Sequence, residues 1–178
     1  FYEDKMDPII EEGIKKGYFV ESDGALVAFM DDPNQPPAII KKKDGTTLYL
    51  TRDLARIKFW EQTWHPDKML VVVDSAQRLH FQQVFEVANR LGLTKAENIH
   101  VSFGRMRFRD ASMSTRKGNI LQLSELLNES RERVATNIAD REVVSDADLI
   151  DSIAIGAVKY GILHQNRNSD MVFSWDSV

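Results

Sequence analysis

The chain has 178 residues, 43% of them hydrophobic and 28% charged, enough apolar side chain for one sizeable core or for one domain and part of another. A formal net charge of −4 argues against wholesale coating of nucleic acid, and the absence of cysteine excludes disulfides and thiolate metal sites. No apolar run approaches the roughly 20 residues of a membrane span. No signal-peptide pattern opens the chain either, so a cytoplasmic protein without membrane contact is expected. The first residue, Phe1, suggests a piece cut from something longer.

Asp7-Pro8 supplies an N-cap and an N1 proline for a first helix whose apolar stripe is Ile9, Ile10 and Ile14, ended by Gly17. A strand follows at 25–30, then a turn at Asp31-Asp32-Pro33-Asn34, where Pro36-Pro37 prevents a helix. Asp44-Gly45 is a strong hairpin dipeptide between strands at 37–43 and 46–50. Thr51 can then cap a helix with Leu50, Leu54, Ile57, Trp60 and Trp64 at helical spacing, stopped by His65-Pro66. The continuous apolar run 69–73 reads as a strand buried on both faces. A helix over 76–91 places Leu79, Phe81, Val84, Phe85, Ala88 and Leu91 inward and ends at Gly92. After a second strand over 99–103, helices are expected from Ser124 to Asp140 and from Ala147 to His164. Ser145 and Asp148 form a capping box for the last of these, which is apolar nearly all round. Helix, buried strand, helix, buried strand is a parallel α/β layout, and ligands of such sheets lie at the carboxyl ends of the strands.

Several short constellations could carry chemistry. In Tyr49-Leu50-Thr51-Arg52-Asp53 a carboxylate in the first helical turn stands beside a phenol, suited to a guanidinium or ammonium ligand. The plainer alternative is that Asp53 improves the helix start and pairs with Arg52 or Arg56, and on these residues alone it is the better one. Gln77, at a strand-to-helix junction, can donate and accept at once; His80, one helical turn after Ala76, reads most simply as an amphipathic ring at a helix–sheet boundary. The segment Ser112-Met113-Ser114-Thr115-Arg116-Lys117-Gly118 brings hydroxyls, a guanidinium, an ammonium and a glycine together, as a polyphosphate site requires. Such clusters are more often solvated turns. The four histidines are too scattered for zinc, and no dinucleotide fingerprint, P-loop or nucleophile elbow is present.

Taken in order, 44–55, Gln77-x-x-His80-Phe81, His100-Val101-Ser102-Phe103-Gly104 and 113–118 resemble the arginyl-tRNA synthetases, a branch of the class I aminoacyl-tRNA synthetases. Each motif is modest, but four in sequence are specific. The resemblance implies an α/β fold: residues 49–123 as the second half of a Rossmann-type parallel sheet, preceded over 1–48 by the end of a β-rich insertion. Residues 124–178 would be a helical junction toward an anticodon-binding domain. It further implies that Tyr49, Asp53 and Gln77 bind arginine, with Asp53 on the guanidinium. His80, Met106, Met113 and Ser114 would bind ATP, and Ser114, Thr115, Arg116 and Lys117 would form the catalytic signature loop. Mg²⁺ would arrive on ATP, and tRNA(Arg) would be the macromolecular partner of a monomeric ligase.

The chain departs from the class I pattern Lys-Met-Ser-Lys-Ser in having Ser112 and Thr115 where the lysines stand, which leaves Arg116 or Lys117 to supply the charge. It has no His-Ile-Gly-His-like segment. That half of the site and the anticodon-binding domain are expected outside the ends of this chain, so the piece by itself is expected to be inactive. A synthetase-like module that binds a nucleotide or amino acid without catalysis is the alternative.

Overall fold

The computed structural model describes residues 1–108, 122–141, 146–173 and 175. The chain divides into two compact units, Phe1–Ser102 and Phe103–Val178.

The first unit starts with a short 3-10 turn and helix α1 (Asp7–Lys15). Ile9 and Ile10 are buried as expected, but the third inward position is Gly13, and Ile14 faces out. Gly13 lies against the Phe19 ring, so closely that a Cβ there would sit 2.2 Å from it. Strands β1 (Val20–Ser22), β2 (Ala25–Ala28) and β3 (Ala38–Lys41) form an antiparallel sheet in that order. The hairpin after Lys41 is tighter than the sequence suggests. Gly45 takes the left-handed conformation (φ 82°), yet the returning strand is reduced to one antiparallel bridge, Lys41 to Thr47. The chain turns into helix instead.

That helix, α2 (Tyr49–Trp64), begins earlier than its sequence signals indicate. Leu48 is the N-cap and Tyr49 the first helical residue, so Tyr49 ends no strand. Thr51 does not cap. Its side chain is fully buried and its hydroxyl donates to the Ile40 carbonyl at 2.6 Å, tying the helix to β3. Leu50, Leu54 and Ile57 face the core, whereas Trp64 is largely exposed. His65 closes the helix in the left-handed region (φ 45°), just before Pro66.

Strand β4 (Lys68–Asp74) corrects the expectation of a strand buried on both faces. Met69 and Val71 are buried while Leu70 and Val72 are 55% and 62% exposed, the period-two pattern of a sheet covered on one side. A 3-10 turn (Ser75–Gln77), capped by the Asp74 carboxylate on the Ala76 amide at 2.7 Å, leads into α3 (Arg78–Leu91). Phe81, Val84, Val87, Ala88 and Leu91 point inward; Leu79, expected among them, is on the outer side. Gly92 provides the left-handed C-cap, and β5 (Glu97–Phe103) pairs with β4. One core, from Met6 to Ala96 in sequence, is built from α1, β2, β3, α2, β4 and α3 and the segments that join them.

In the second unit β6 (Met106–Phe108) pairs in parallel with β7 (Met171–Phe173). Gly104 passes so close to the Ser169 backbone that a Cβ would lie 2.1 Å from its carbonyl oxygen, a contact only glycine permits. Helix α4 (Leu123–Ala139) opens with a reciprocal capping box between Gln122 and Glu125. It packs on α5 (Ala147–Leu163) through the buried bond from the Ser130 hydroxyl to the Ala154 carbonyl, 3.1 Å, and through Arg131 with Asp151, 2.6 Å. Asp146 caps α5 by accepting from the Leu149 amide at 2.8 Å; Ser145, the expected cap, lies outside the described residues. α5 is not buried all round either. Ala154, Val158 and Gly161 are covered, while Ile153, Ile162 and Leu163 are exposed.

The described strands thus form a mixed α/β fold in which β6 and β7 pair in parallel. Among the described residues no helix is long and apolar enough to cross a membrane.

Candidate functional site

The first unit brings the starts of α2 and α3 together. Tyr49 and Asp53 stand four residues apart on α2, so they share one face of the helix. The Tyr49 ring is 75% exposed, with the Arg52 guanidinium 5.9 Å from its centre. Asp53 is sheltered by comparison, its side chain 22% exposed. Because α2 begins at Tyr49, Asp53 lies one full turn into the helix rather than in its first turn. The helix dipole therefore contributes less to it than the sequence suggests.

Local protein groups hold Asp53 instead. His80 Nε2 meets its Oδ2 at 2.7 Å, and Arg56 Nη2 stands 3.2 Å from its Oδ1. Arg52, the other cation proposed for it, pairs with Glu3 at 2.9 Å. Arg56 is only 16% exposed and stacks over the Trp60 ring, 4.6 Å from its centre. Its Nε and Nη2 are buried without an aligned acceptor, so the approach to Asp53 is a charge contact and not a directed hydrogen bond. The i, i+3 spacing of Asp53 and Arg56 made that contact legible in the sequence. The bond to His80 spans 27 residues and had no local signal.

Gln77 is exposed at the N-cap of α3 and its side chain makes no capping bond there. His80 follows within the first turn of the same helix. Its ring packs edge-on against Phe81, with centres 4.9 Å apart, and Phe81 lies 5.4 Å from the ring of His100. Asp53, Arg56 and His80 therefore form a partly buried charged cluster, flanked by a phenol and a helix start. A carboxylate so placed can receive a forked cation.

Over residues 1–175 the chain matches the model of a family described as the catalytic domain of class I tRNA synthetases, type R. The chain belongs to this family. Curated relatives agree along its whole length: it is 44% identical to the arginine–tRNA ligase of Clostridium kluyveri over 181 aligned residues, which cover all of this chain and 32% of that protein. Against the arginine–tRNA ligase of Halothermothrix orenii it is 40% identical, covering 99% of this chain and 32% of the relative. The chain thus spans about a third of the length of the curated relatives it matches. Among solved structures, arginyl-tRNA synthetase from Plasmodium falciparum superposes on 99% of the chain with a TM-score of 0.83 at 23% identity. That match covers 30% of the Plasmodium chain. The Thermus thermophilus enzyme superposes on 97% of the chain, and 36% of its own, with a TM-score of 0.76 at 14% identity. At those identities the structural matches establish the fold of the family member and nothing finer.

The remaining residues singled out in this synthetase-family chain are distributed differently. Met106 opens β6 in the second unit, where it packs beside Leu126, Val158 and Met171. Met113, Ser114, Thr115, Arg116 and Lys117 lie outside the described residues. Among the described residues there is no group of His, Asp and Glu that could hold a metal ion.

Proposed function

We propose that this chain is the arginine-recognising part of an arginine–tRNA ligase. The observation that carries the reading is the match along its whole length, at 44% identity, to a curated protein of that name. Residues 49–123 then contribute the second half of a Rossmann-type sheet, 1–48 the end of an insertion, and 124–178 a junction toward an anticodon-binding domain.

The reaction has two steps. A carboxylate oxygen of arginine attacks the α-phosphorus of ATP and pyrophosphate leaves; the terminal ribose hydroxyl of tRNA(Arg) then attacks the acyl carbon of the adenylate and AMP leaves. Asp53 recognises the guanidinium through two parallel charge-assisted bonds, with Tyr49 beside it on the same helix face. The Gln77 amide, which both donates and accepts, serves the amino-acid end of the substrate. Ser114, Thr115, Arg116 and Lys117, with Met113, neutralise the phosphates of ATP, which arrives with its Mg²⁺. His80 and Met106 stand on the nucleotide side in the family pattern. Catalysis of this kind is mainly positioning and electrostatics. The ligase acts as a cytoplasmic monomer.

The test is charging of tRNA(Arg) by the ligase that carries this segment. Asp53→Asn keeps the shape and removes the charge, so the KM for arginine should rise at least about tenfold, as loss of a bond to a charged group worth about 1.5–3 kcal/mol requires. The KM for ATP should stay near its original value. Unchanged arginine kinetics in that variant would remove Asp53 from the site, and charging with a different amino acid would refute the reading as a whole.

A further inference from the structure

An ionised carboxylate only accepts hydrogen bonds, with about four acceptor directions shared by its two oxygens. His80 occupies one of them, on Oδ2 at 2.7 Å. Since the carboxylate cannot donate, the proton in that bond sits on Nε2. At Oδ1 the Arg56 guanidinium is close, but its Nη2 and Nε are aligned on no acceptor, and the stack over Trp60 holds it in place. One directed bond therefore orients Asp53, and each oxygen keeps an unused acceptor direction. A guanidinium fork needs that arrangement: one N–H to each oxygen of a carboxylate whose plane is fixed.

The bond also crosses between elements. Asp53 belongs to α2 and His80 to the first turn of α3, whose N-cap is Gln77. Any shift of α3 relative to α2 would rotate the carboxylate and move Gln77 at the same time. A misplacement of about 1 Å in a recognition group can cost roughly a hundredfold in rate.

We propose that His80 is a positioning residue for the guanidinium site: its Nε2–H bond to Asp53 Oδ2 fixes the carboxylate plane and sets the start of α3 against it. The inference rests on the reading of this chain as part of an arginine–tRNA ligase. It assigns His80 to the arginine side of the reaction, in place of the nucleotide side where the family pattern puts it.

In the ligase carrying this segment, His80→Leu removes the donor. It should raise the KM for arginine by about 10–100-fold, the range set by a bond to a charged group. The KM for ATP should change by less than about twofold, because only one substrate loses a contact. His80→Gln retains an N–H donor on the side chain and should recover most of the arginine KM, which also guards against a Leu variant that folds poorly. A rise in the KM for ATP instead of that for arginine overturns the inference and leaves the function standing, as does equal behaviour of the Leu and Gln variants. Failure of the unsubstituted ligase to charge arginine overturns both.

Discussion

Thr51 offers a test of how the fold places Asp53, and it can be run on the 178-residue chain itself. Its hydroxyl donates to the Ile40 carbonyl at 2.6 Å and the residue is 0% exposed, so neither group can turn to water if the partner is lost. Thr51→Val is nearly isosteric and removes only the donor. An unsatisfied buried acceptor costs about 1–3 kcal/mol. Thr51→Ser keeps the donor and loses one buried methyl, worth about 0.8 kcal/mol before any cavity cost. The Val variant should therefore be the less stable of the two. With a urea m-value of about 1–3 kcal/mol/M, loss of the hydrogen bond lowers the midpoint by roughly 1 M. Urea titration followed by far-UV circular dichroism and by the fluorescence of Trp60 and Trp64, which share α2 with Thr51, measures it. A Val variant as stable as the unsubstituted chain, or more stable than the Ser variant, would refute the assignment of Thr51 as the tie between α2 and β3.

Strand β4 gives a second contrast: Val71→Ala, at a buried position, should lose about 2 kcal/mol, whereas Val72→Ala, next to it and exposed, should stay within about 0.5 kcal/mol, both read by chemical denaturation. A third concerns pH. Hydrogen bonding from Lys16 chiefly holds the Glu12 carboxyl below the ordinary glutamate range; burial, next in size, opposes it, and the Lys58 ammonium adds to the lowering. A group whose pKa is depressed on folding contributes stability above its unfolded pKa and loses it as pH falls through the folded value. Glu12→Gln should therefore destabilise the chain at neutral pH, and the difference should close as pH drops from about 4.3 through the depressed value. Thermal melts of both proteins across that range would show a constant difference if the ion pairs with Lys16 and Lys58 are irrelevant.

Much of the scaffold was legible because its signals are local. Gly92 at a helix end and His65-Pro66 at another stop helices for steric reasons that do not depend on the rest of the fold. The start of α2 differs from its local signals for an equally physical reason. Thr51 has the chemistry of a cap, and only the position of Ile40 reveals that its hydroxyl is committed to another segment. The five residues from Met69 to Val73 look alike in composition, and whether Leu70 and Val72 are covered depends on what packs against that face of the sheet, not on the strand. The site divides in the same way. Tyr49, Asp53 and Arg56 follow from spacing along one helix, while the meeting of Asp53 with His80 follows from the packing of α2 beside α3 and has no counterpart in the local sequence.

In the proposed function, Asp53 receives the guanidinium of arginine. A crystal structure of the ligase carrying this segment, grown with arginine, tests it most directly. The expected result is a guanidinium forked on the two oxygens of Asp53, with His80 Nε2 still bonded to Oδ2. Arginine bound with its guanidinium away from Asp53 would contradict it.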